Sequence, residues 1–313
     1  MSKAEDPELE SLPCAPERRP EALTVLFSDL DCVSQRVEFA LAESLRGRLD
    51  LSGLWITLRK GRIVCAVLTQ RLAGDAAALW PPRTVAPRLM RPIVVRHLFA
   101  TVFEALRGEG VVMIQALPDA GSNRKARGDL EAGGMEYVTR LISMRHHATG
   151  FNVGQGHEHG SWRWKAYQAH LHGAFVDALN ATMEGSLDLP ELRTVQTAER
   201  LLQAHGSGWR FDPNLWLLGA SPHGATGVLL MAEAAERNVL ELRFLGLCAA
   251  GRGKGLGRAI VNRALRIAEA RHSPIELAVD ARNTPALHLY KRTGFQAYET
   301  RPLYLKTFES AIG

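Results

Sequence analysis

A short run in which glycine alternates with other residues, Arg252-Gly-Lys-Gly-Leu-Gly257, is the part of the chain best suited to hold an anion. It lies between an apolar run at 240–247 and an amphipathic stretch at 257–270. A strand that turns through glycines into a helix presents unpaired N–H groups and the positive end of the helix dipole to one point. The missing Cβ atoms let a ligand approach the backbone closely. This arrangement suits a pyrophosphate, and a glycine-rich turn without a ligand is the alternative.

Two common phosphate-binding loops do not fit these residues. A Walker loop needs a glycine at position 248 and a Ser or Thr at position 255, but the chain has Cys248 and Gly255 there. A dinucleotide-binding fingerprint needs a third glycine at a fixed offset, and a βαβ unit with an acidic residue about twenty positions later. Neither feature is present in the sequence. The loop therefore belongs to another class.

A second motif, about thirty residues further on, narrows the class. An apolar strand predicted at 275–280 leads into Asn283-Thr-Pro-Ala-Leu-His-Leu-Tyr-Lys-Arg-Thr-Gly-Phe295. The loop R-x-x-G-x-G, followed at this distance by N-x-x-A-x-x-L-Y-x-x-x-G-F, resembles the GNAT superfamily of acyl-CoA-dependent N-acetyltransferases. The resemblance covers roughly residues 240–306, about a fifth of the chain.

The resemblance implies that the chain binds acetyl-CoA as a co-substrate and moves its acetyl group to an amine by direct attack. In this family the strand before the glycine loop diverges from its neighbour, which leaves backbone groups free for the ligand. The N–H of Leu245 would then polarise the thioester carbonyl, and that of Leu247 would meet the pantetheine. Asn283 is a natural helix cap, and the family adds a cofactor contact. The predicted cofactor-binding residues are Leu245, Leu247, Arg252, Gly253, Lys254, Gly255, Leu256, Gly257, Arg258 and Asn283.

Attack of an amine on a thioester needs a neutral amine and a proton for the departing thiolate. In the family a tyrosine on the helix after the second strand supplies that proton, and Tyr290 occupies its place. The alternative is a half-buried helix aromatic with a satisfied hydroxyl. Glu241 lies at the start of the predicted strand. Several family members have a glutamate at this place, which deprotonates the amine through water. Strand alternation puts Arg243 on the same face, so this arginine could instead pair with Glu241 and lower its pKa.

The chain has 313 residues, about twice the length that one acetyltransferase fold requires, so two domains are expected. The composition, 46% hydrophobic and 23% charged, is that of a globular protein. The net charge of +5 comes from dispersed residues on predicted helix faces, so we expect a basic surface and no nucleic-acid partner.

The cysteines and the apolar runs indicate which cellular location to expect for the protein. The four cysteines include no C-x-x-C pair, which argues against a disulfide scaffold and against a zinc site. No apolar run approaches a membrane span of about 20 residues, and the N-terminus has no apolar signal region. The sequence predicts a cytoplasmic protein with no membrane partner, either a monomer or a homodimer.

The two halves of the chain share a pattern at a constant offset of 160 residues. Each set of matched residues follows an amphipathic helix and an apolar strand, and precedes another strand. This indicates an internal duplication of one fold. We predict an α/β (α+β) protein of two tandem GNAT-like domains, each a mixed, mostly antiparallel sheet flanked by helices, with a splayed central strand pair in the second copy. The matched residues are Asn123, Ala126, Gly134 and Met135 in the first half and Asn283, Ala286, Gly294 and Phe295 in the second.

The first copy lacks the residues that would do chemistry. Its helix follows Pro87-Arg-Leu-Met-Arg-Pro92, which has no glycine, and Leu130 stands where Tyr290 does. We therefore expect residues 21–148 to be a degenerate domain that serves as a scaffold, with a second active site as the alternative. Residues 162–313 are the predicted active domain.

The remaining segments are expected to connect the domains. Residues 149–161 are glycine-rich and are predicted to be a linker, whereas residues 1–20 are predicted to be a flexible tail. Six of the eleven histidines lie near the linker, but no carboxylate or thiol accompanies them at a metal-binding spacing, so no metal site is predicted. Helices near 164–180 and 197–205 are expected on the substrate side of the second domain.

Two functions are compatible with these features. The first is an acyl-CoA-dependent N-acyltransferase that acts on a small-molecule or peptide amine. The second is a non-catalytic acyl-CoA-binding or interaction protein that keeps the cradle without turnover. An intact Tyr290 beside an intact loop favours the enzyme. The sequence leaves open the identity of the acceptor and an acyl group longer than acetyl.

Overall fold

The computed structural model describes residues 8–119, 124–147, 162–206, 211–221, 224, 226–234 and 237–308. The predicted linker at 149–161 lies outside the described residues. The chain divides into a first unit, Met1–Val138 with Arg301–Gly313, and a second unit, Thr139–Thr300. The predicted domain boundaries were therefore wrong at both ends, because the last strand of each half continues into the other unit.

Both units have the same order of elements: a strand, two helices, three strands, a helix, a strand, a helix and a final strand. The first copy carries one additional two-residue strand. Its elements are β1 (Leu9–Pro13), α1 (Arg19–Leu26), α2 (Val33–Leu45), β2 (Leu54–Arg59), β3 (Arg62–Leu72), β4 (Ala76–Leu79), β5 (Arg83–Thr84), α3 (Arg91–Gly108), β6 (Met113–Ala116), α4 (Arg124–Ala132) and β7 (Glu136–His146). Those of the second copy are β8 (Arg163–Ala166), α5 (His172–Met183), α6 (Ala198–Gly206), β9 (Trp216–Ala220), β10 (Thr226–Ala234), β11 (Val239–Leu247), α7 (Leu256–Ala270), β12 (Ile275–Asp280), α8 (Thr284–Arg292) and β13 (Gln296–Thr307).

The sheet of each unit is mixed and mainly antiparallel, as predicted. In the first unit the strand order is β1-β2-β3-β4-β6, with the end of β13 beside β6. In the second unit it is β8-β9-β10-β11-β12, with the end of β7 beside β12. Among the strand pairs of the two orders just given, β4–β6 and β11–β12 are parallel. Each half of the chain thus contributes its last strand to the sheet of the other half.

The predicted flexible tail at 1–20 was wrong from residue 8 onward. Strand β1 pairs with β2 from Leu9 opposite Arg59 to Pro13 opposite Trp55, and α1 begins at Arg19. Cys14, directly after β1, is buried in the core of the first unit. The prolines and charges of this segment concealed a short edge strand, which is held by pairing with a distant strand rather than by its own composition.

The predicted helix near 164–180 begins later than expected. Residues Arg163–Ala166 form β8, and α5 starts only at His172. Trp162 and Trp164 stack with ring centroids 5.4 Å apart. Gly219 on the neighbouring strand leaves room for these rings, because a Cβ there would come within 2.6 Å of Trp164. Cross-strand packing of large aromatics favours a strand over a helix.

Strand β10, which pairs with β11, lies in the core of the second unit. Val228, Leu229 and Leu230 are successive residues of β10, and all three are fully buried. Side chains alternate between the faces of a sheet, so both faces of β10 are covered. Helices α5 and α7 contribute to this core through Phe175 and Ile260, among other residues.

In the described part of the chain, no helix has both the length and the apolar character that a membrane crossing requires.

Candidate active site

Strands β11 and β12 are paired only at their beginnings. Leu240 lies opposite Ile275 and Glu241 opposite Glu276, and no register continues beyond them. On its other side β11 remains paired with β10 as far as Leu247. The two central strands therefore diverge, and the splay implied by the family resemblance is present.

The backbone of β11 turns two amides toward the open side. Cys248 donates its N–H to the Thr226 carbonyl of β10 at 3.0 Å. Because N–H groups alternate along an antiparallel strand, those of Leu245 and Leu247 point away from β10. Beyond Glu241 no register with β12 continues along that edge. Within the described residues, these two amides are therefore open to a ligand.

A β-bulge interrupts β11 where it begins to diverge. Leu230 lies opposite Phe244 but the next residue, Met231, lies opposite Leu242, so Arg243 has no partner in β10. An extra residue on one strand bends it and increases its twist. The sequence analysis placed Glu241, Arg243 and Leu245 on one regular face, and the bulge shows that this alternation is broken.

The divergence opens a cleft of about 870 Å³ within the second unit. This volume is in the range of small-molecule and cofactor sites. One wall consists of residues 242–247 of β11, and the other includes Ala278 and Val279 of β12. The glycine loop at 252–257, helix α8 and the loop after α5 complete the lining.

The glycines of the glycine loop have two different roles. Gly253 and Gly255 both have φ of +73°, and a Cβ on either would meet no atom within 4 Å. They allow the left-handed turn that starts α7, and the turn leaves open space over the backbone. Gly257 differs, because its Cβ would lie 3.2 Å from Leu289 Cδ2. It lets α7 approach α8 closely. The turn thus fits a pyrophosphate, since the first N–H groups of a helix are open to the cleft.

The Arg252 guanidinium lines the cleft and is hydrogen-bonded to backbone carbonyls, and its contact with the cofactor stays a prediction. Its Nε donates to the Leu247 carbonyl at 3.0 Å, and its Nη2 donates to the carbonyls of Thr182 at 2.8 Å and Glu184 at 2.7 Å. The last carbonyls of a helix have no intrahelical partner and carry the negative end of the dipole. Arg252 therefore ties the glycine loop to the end of α5.

The other predicted residues of the loop are distributed differently. Arg258 is exposed and lines the cleft. Lys254 is exposed, but its side chain is not part of the lining. Leu256 is the first residue of α7 and is also outside the lining. Two arginines of this loop, Arg252 and Arg258, thus line the cleft, whereas Lys254 does not.

Tyr290 faces the cleft from α8. It is only 6% exposed, and its ring contacts Phe295 edge-on with centroids 5.6 Å apart. Burial raises the pKa of the Tyr290 phenol, and the negative charge of Asp188 raises it further. The hydroxyl therefore keeps its proton at neutral pH. Asn283 caps the same helix, because its Oδ1 accepts from the Ala286 N–H at 3.3 Å, so the predicted capping role is confirmed.

Glu241 does not reach the cleft. Its carboxylate pairs with Arg237 and, at 3.1 Å, with Arg243 Nε. Glu276 on the neighbouring strand pairs with the same Arg237. The alternative that the sequence left open, an ion pair with Arg243, is therefore what the structure contains. The geometry does not favour a role for Glu241 as the base, and that role stays a prediction.

Asp188 is a cleft residue that the sequence analysis missed. It lies in the loop between α5 and a single 3-10 turn at Pro190–Leu192. Among the described residues that line the cleft, it is the sole acid. No motif surrounds it in the sequence. Its proximity to Tyr290 depends on the packing of two segments that are about a hundred residues apart.

The histidines near the predicted linker do not assemble a metal site within the described residues. His157 and His159 lie outside the described part of the chain. His172 Nδ1 is hydrogen-bonded to the Tyr167 hydroxyl at 2.9 Å, and its Nε2 to Glu199 at 3.1 Å. This histidine therefore links β8 and α5 to α6.

Comparisons with known proteins agree with this geometry. The model of the acetyltransferase (GNAT) family matches residues 191–295. The matched range includes β11, the glycine loop, α7, β12 and α8. A solved structure of a GCN5-related N-acetyltransferase from Sphaerobacter thermophilus matches with a TM-score of 0.57 and 20% identity, over 98% of each chain. At this identity the likeness shows the fold alone.

Curated relatives include two proteins named mycothiol acetyltransferase. The protein from Beutenbergia cavernae is 36% identical over 101 residues, which cover 32% of this chain and 34% of that protein. The protein from Kineococcus radiotolerans is 38% identical over 94 residues, 30% of each. The chain thus spans about a third of the length of these relatives. A tandem fold with one eroded copy also resembles mycothiol synthase. Residues 191–295, about a third of the chain, match the GNAT acetyltransferase family.

Proposed function

We propose that the second unit transfers an acetyl group from acetyl-CoA to the nitrogen of a small-molecule primary amine by direct attack. One observation carries this proposal: the free amides of β11, the glycine loop and Tyr290 all border one cleft. The names of the curated relatives support a small-molecule acceptor. A cytoplasmic location and a monomeric or homodimeric state stay predictions.

The cleft offers acetyl-CoA three kinds of contact. The N–H groups at the start of α7 and the charge of Arg258 would hold the pyrophosphate. The N–H of Leu247 would pair with the extended pantetheine, as a neighbouring strand would. The N–H of Leu245 would donate to the thioester carbonyl oxygen. Contact between Asn283 and the cofactor is part of the same proposal, in addition to its role as a cap.

Two groups would act on the reacting atoms. The Leu245 N–H would stabilise the negative charge that grows on the carbonyl oxygen while the amine attacks. Tyr290 would give its proton to the sulfur that leaves. Burial raises the pKa of its phenol, so the hydroxyl carries its proton throughout the neutral range. Acetyl-CoA supplies the thioester, and the protein supplies the position, the hydrogen bond and the proton.

We propose that the first unit has no equivalent site. Its helix α3 begins after Met90, and no glycine with positive φ precedes it between positions 80 and 90. Arg91 and Asp129 form a largely buried ion pair there, so these charges satisfy each other. Leu130, at the position that corresponds to Tyr290, is fully buried and has no proton to give.

The test is release of CoA by the purified full chain in the presence of an amine. Acetyl-CoA is incubated with glucosamine, lysine methyl ester, spermidine or benzylamine, and free thiol and acetylated product are measured together. The proposal predicts equal amounts of free CoA and N-acetyl product with at least one amine. Binding of acetyl-CoA without product from any of them would instead indicate a non-catalytic acyl-CoA-binding protein.

A further inference from the structure

The loop after α5, residues 184–189, is braced at both ends by arginines. We call it the acceptor loop. Arg252 holds its beginning through the carbonyls of Thr182 and Glu184. Arg282 holds the 3-10 turn that follows, through two hydrogen bonds to Glu191 at 2.6 and 2.9 Å. Charged hydrogen bonds of this kind are stronger than neutral ones, so the loop has a defined position on the cleft wall.

Asp188 is the part of this loop that faces the reacting end of the cleft. Its backbone N–H donates to Ser186 Oγ at 3.1 Å, which fixes the turn of the chain. Its carboxyl lies beside the Asn283 side chain and close enough to Tyr290 to raise the pKa of the phenol. Solvent in the open cleft still reaches it. The carboxyl and the proposed proton donor therefore face the same space.

Asp188 has no cation of its own in the described part of the chain. Arg282, whose charge acts on the Asp188 carboxyl, already pairs with Glu191 at 2.6 Å and with Asp280 at 2.7 Å. Arg252 is bound to carbonyls and Arg243 to Glu241. A carboxylate in a cleft that lacks a dedicated counter-ion is suited to a cation that arrives with the substrate.

We propose that Asp188 recognises the acceptor as a primary ammonium ion and accepts the proton that its nitrogen must lose before attack. This inference rests on the proposed transferase function and names the chemical class of its substrate. A neutral alcohol or amide of the same shape would lack the positive charge that Asp188 attracts. Asp188 would thus be a catalytic residue as well as a specificity residue.

The proposed steps balance as follows. The ammonium gives one proton to Asp188, and the freed electron pair forms the bond from nitrogen to the acetyl carbon. The bond from carbon to sulfur breaks, its electron pair goes to sulfur, and Tyr290 protonates that sulfur. The second proton of the nitrogen returns to the Tyr290 oxygen, and Asp188 releases its proton to solvent. Ammonium and thioester thus become amide, thiol and one proton.

The environment of Asp188 supports this role. The cleft walls partly shield its carboxyl from water, which raises its pKa, and the negative charge of Asp280 raises it further. The Asp280 N–H, the Asn283 side chain and Arg282 oppose the shift without cancelling it. A carboxylate with a raised pKa is a better proton acceptor, since its affinity for protons is closer to that of an amine. As the pH falls through this raised pKa, Asp188 becomes neutral and its attraction for the ammonium is lost.

The test compares Asp188→Asn with Asp177→Asn, the same change at an exposed position of α5 outside the cleft lining. The full chain is assayed with acetyl-CoA and the four amines named above. For Asp188→Asn we expect kcat/KM for the amine to fall by roughly 10²-fold or more, with the Kd of acetyl-CoA unchanged. The fall in kcat/KM of the parent at acidic pH should also disappear. Asp188→Glu, which keeps the charge, should recover part of the rate, and Asp177→Asn should match the parent.

The possible failures are distinguishable. If the parent acetylates an amine and Asp188→Asn does so equally well with the same pH profile, the role of Asp188 is wrong and the proposed function stands. If the parent acetylates none of the amines, and calorimetry finds none bound to its CoA complex, both proposals are overturned. If Asp188→Asn does not fold, Asp188→Ser is assayed in its place. Its kcat/KM and the fall in kcat/KM of the parent at acidic pH then decide the question by the same criteria.

Discussion

At the scale of single residues, the cleft brings together a phenol that keeps its proton at neutral pH and a carboxyl with a raised pKa. Burial and the charge of Asp188 keep the Tyr290 phenol protonated. Desolvation raises the proton affinity of the Asp188 carboxyl. Pairs of titratable groups with separated tendencies are typical of sites that move protons. A donor for the leaving sulfur and an acceptor for the attacking nitrogen can therefore both work at neutral pH.

Tyr290→Phe removes one hydroxyl and keeps the ring that packs against Phe295. If the hydroxyl protonates the sulfur, kcat should fall by roughly 10²-fold or more, with the Kd of acetyl-CoA nearly unchanged. Because the pKa of the phenol is raised above its ordinary value of 10.0, the parent should lose no activity through tyrosine ionisation up to that pH. Steady-state rates and calorimetry at several pH values would measure both. A rate within about twofold of the parent would rule out Tyr290 as the essential acid.

Gly255→Val should abolish most acetyl-CoA binding. The valine would strain a backbone with φ of +73° and fill open space above the turn. Gly47→Val is the matched control, because Gly47 has φ of +71° and no atom within 4 Å of its Cβ position, but it lies in the first unit. Both variants should lose similar stability, and only Gly255→Val should lose affinity in calorimetry. Equal affinities would show that the turn does not hold the pyrophosphate.

At the scale of elements, the cleft depends on two devices in β11 and its surroundings. The bulge at Arg243 bends the strand away from β12 where pairing ends. Arg252 then connects the end of that strand with the end of α5. The glycine loop and the acceptor loop are thus joined through the guanidinium of Arg252. A change at Arg252 should therefore affect both sides of the reaction.

Arg252→Gln should lower the free energy of unfolding by about 1–3 kcal/mol, because three backbone carbonyls lose a charged donor. It should also raise KM for the amine, since the acceptor loop loses its first anchor. Arg258→Gln is the comparison: Arg258 lines the cleft and has no such carbonyl partners among the described residues, so this variant should weaken acetyl-CoA binding and keep KM for the amine. Chemical denaturation and steady-state kinetics would measure these effects. A change at Arg252 that alters only acetyl-CoA affinity would contradict the anchoring role.

At the scale of the whole molecule, two copies of one order of elements carry unequal chemistry. The turn before α3 has no glycine, and Arg91, the first residue of α3, forms an ion pair with Asp129. In the second copy the corresponding turn has two glycines in the left-handed region. Such a turn is what brings backbone N–H groups to an anion. Among the described residues, the duplicated fold thus has one candidate site, in its second copy.

The full chain should bind one molecule of acetyl-CoA. Isothermal titration of the purified protein should give a stoichiometry of one, and Gly255→Val should remove it. The reason is that only the second unit has the glycine turn, the exposed β11 amides and a cleft-facing tyrosine. Two equivalent sites per chain would show that the first unit has kept a cradle of a different kind.

The sequence alone determined the cofactor side of the cleft. The glycine turn, the capping Asn283 and the cleft-facing Tyr290 depend on backbone geometry within one stretch of about sixty residues, so their spacing was enough to predict them. The tertiary structure decided the places of Asp188, Arg252 and Glu241, since each depends on which distant group it meets. It also decided the exchange of β7 and β13, because the edge to which a strand adds is set by long-range pairing and not by the composition of the strand.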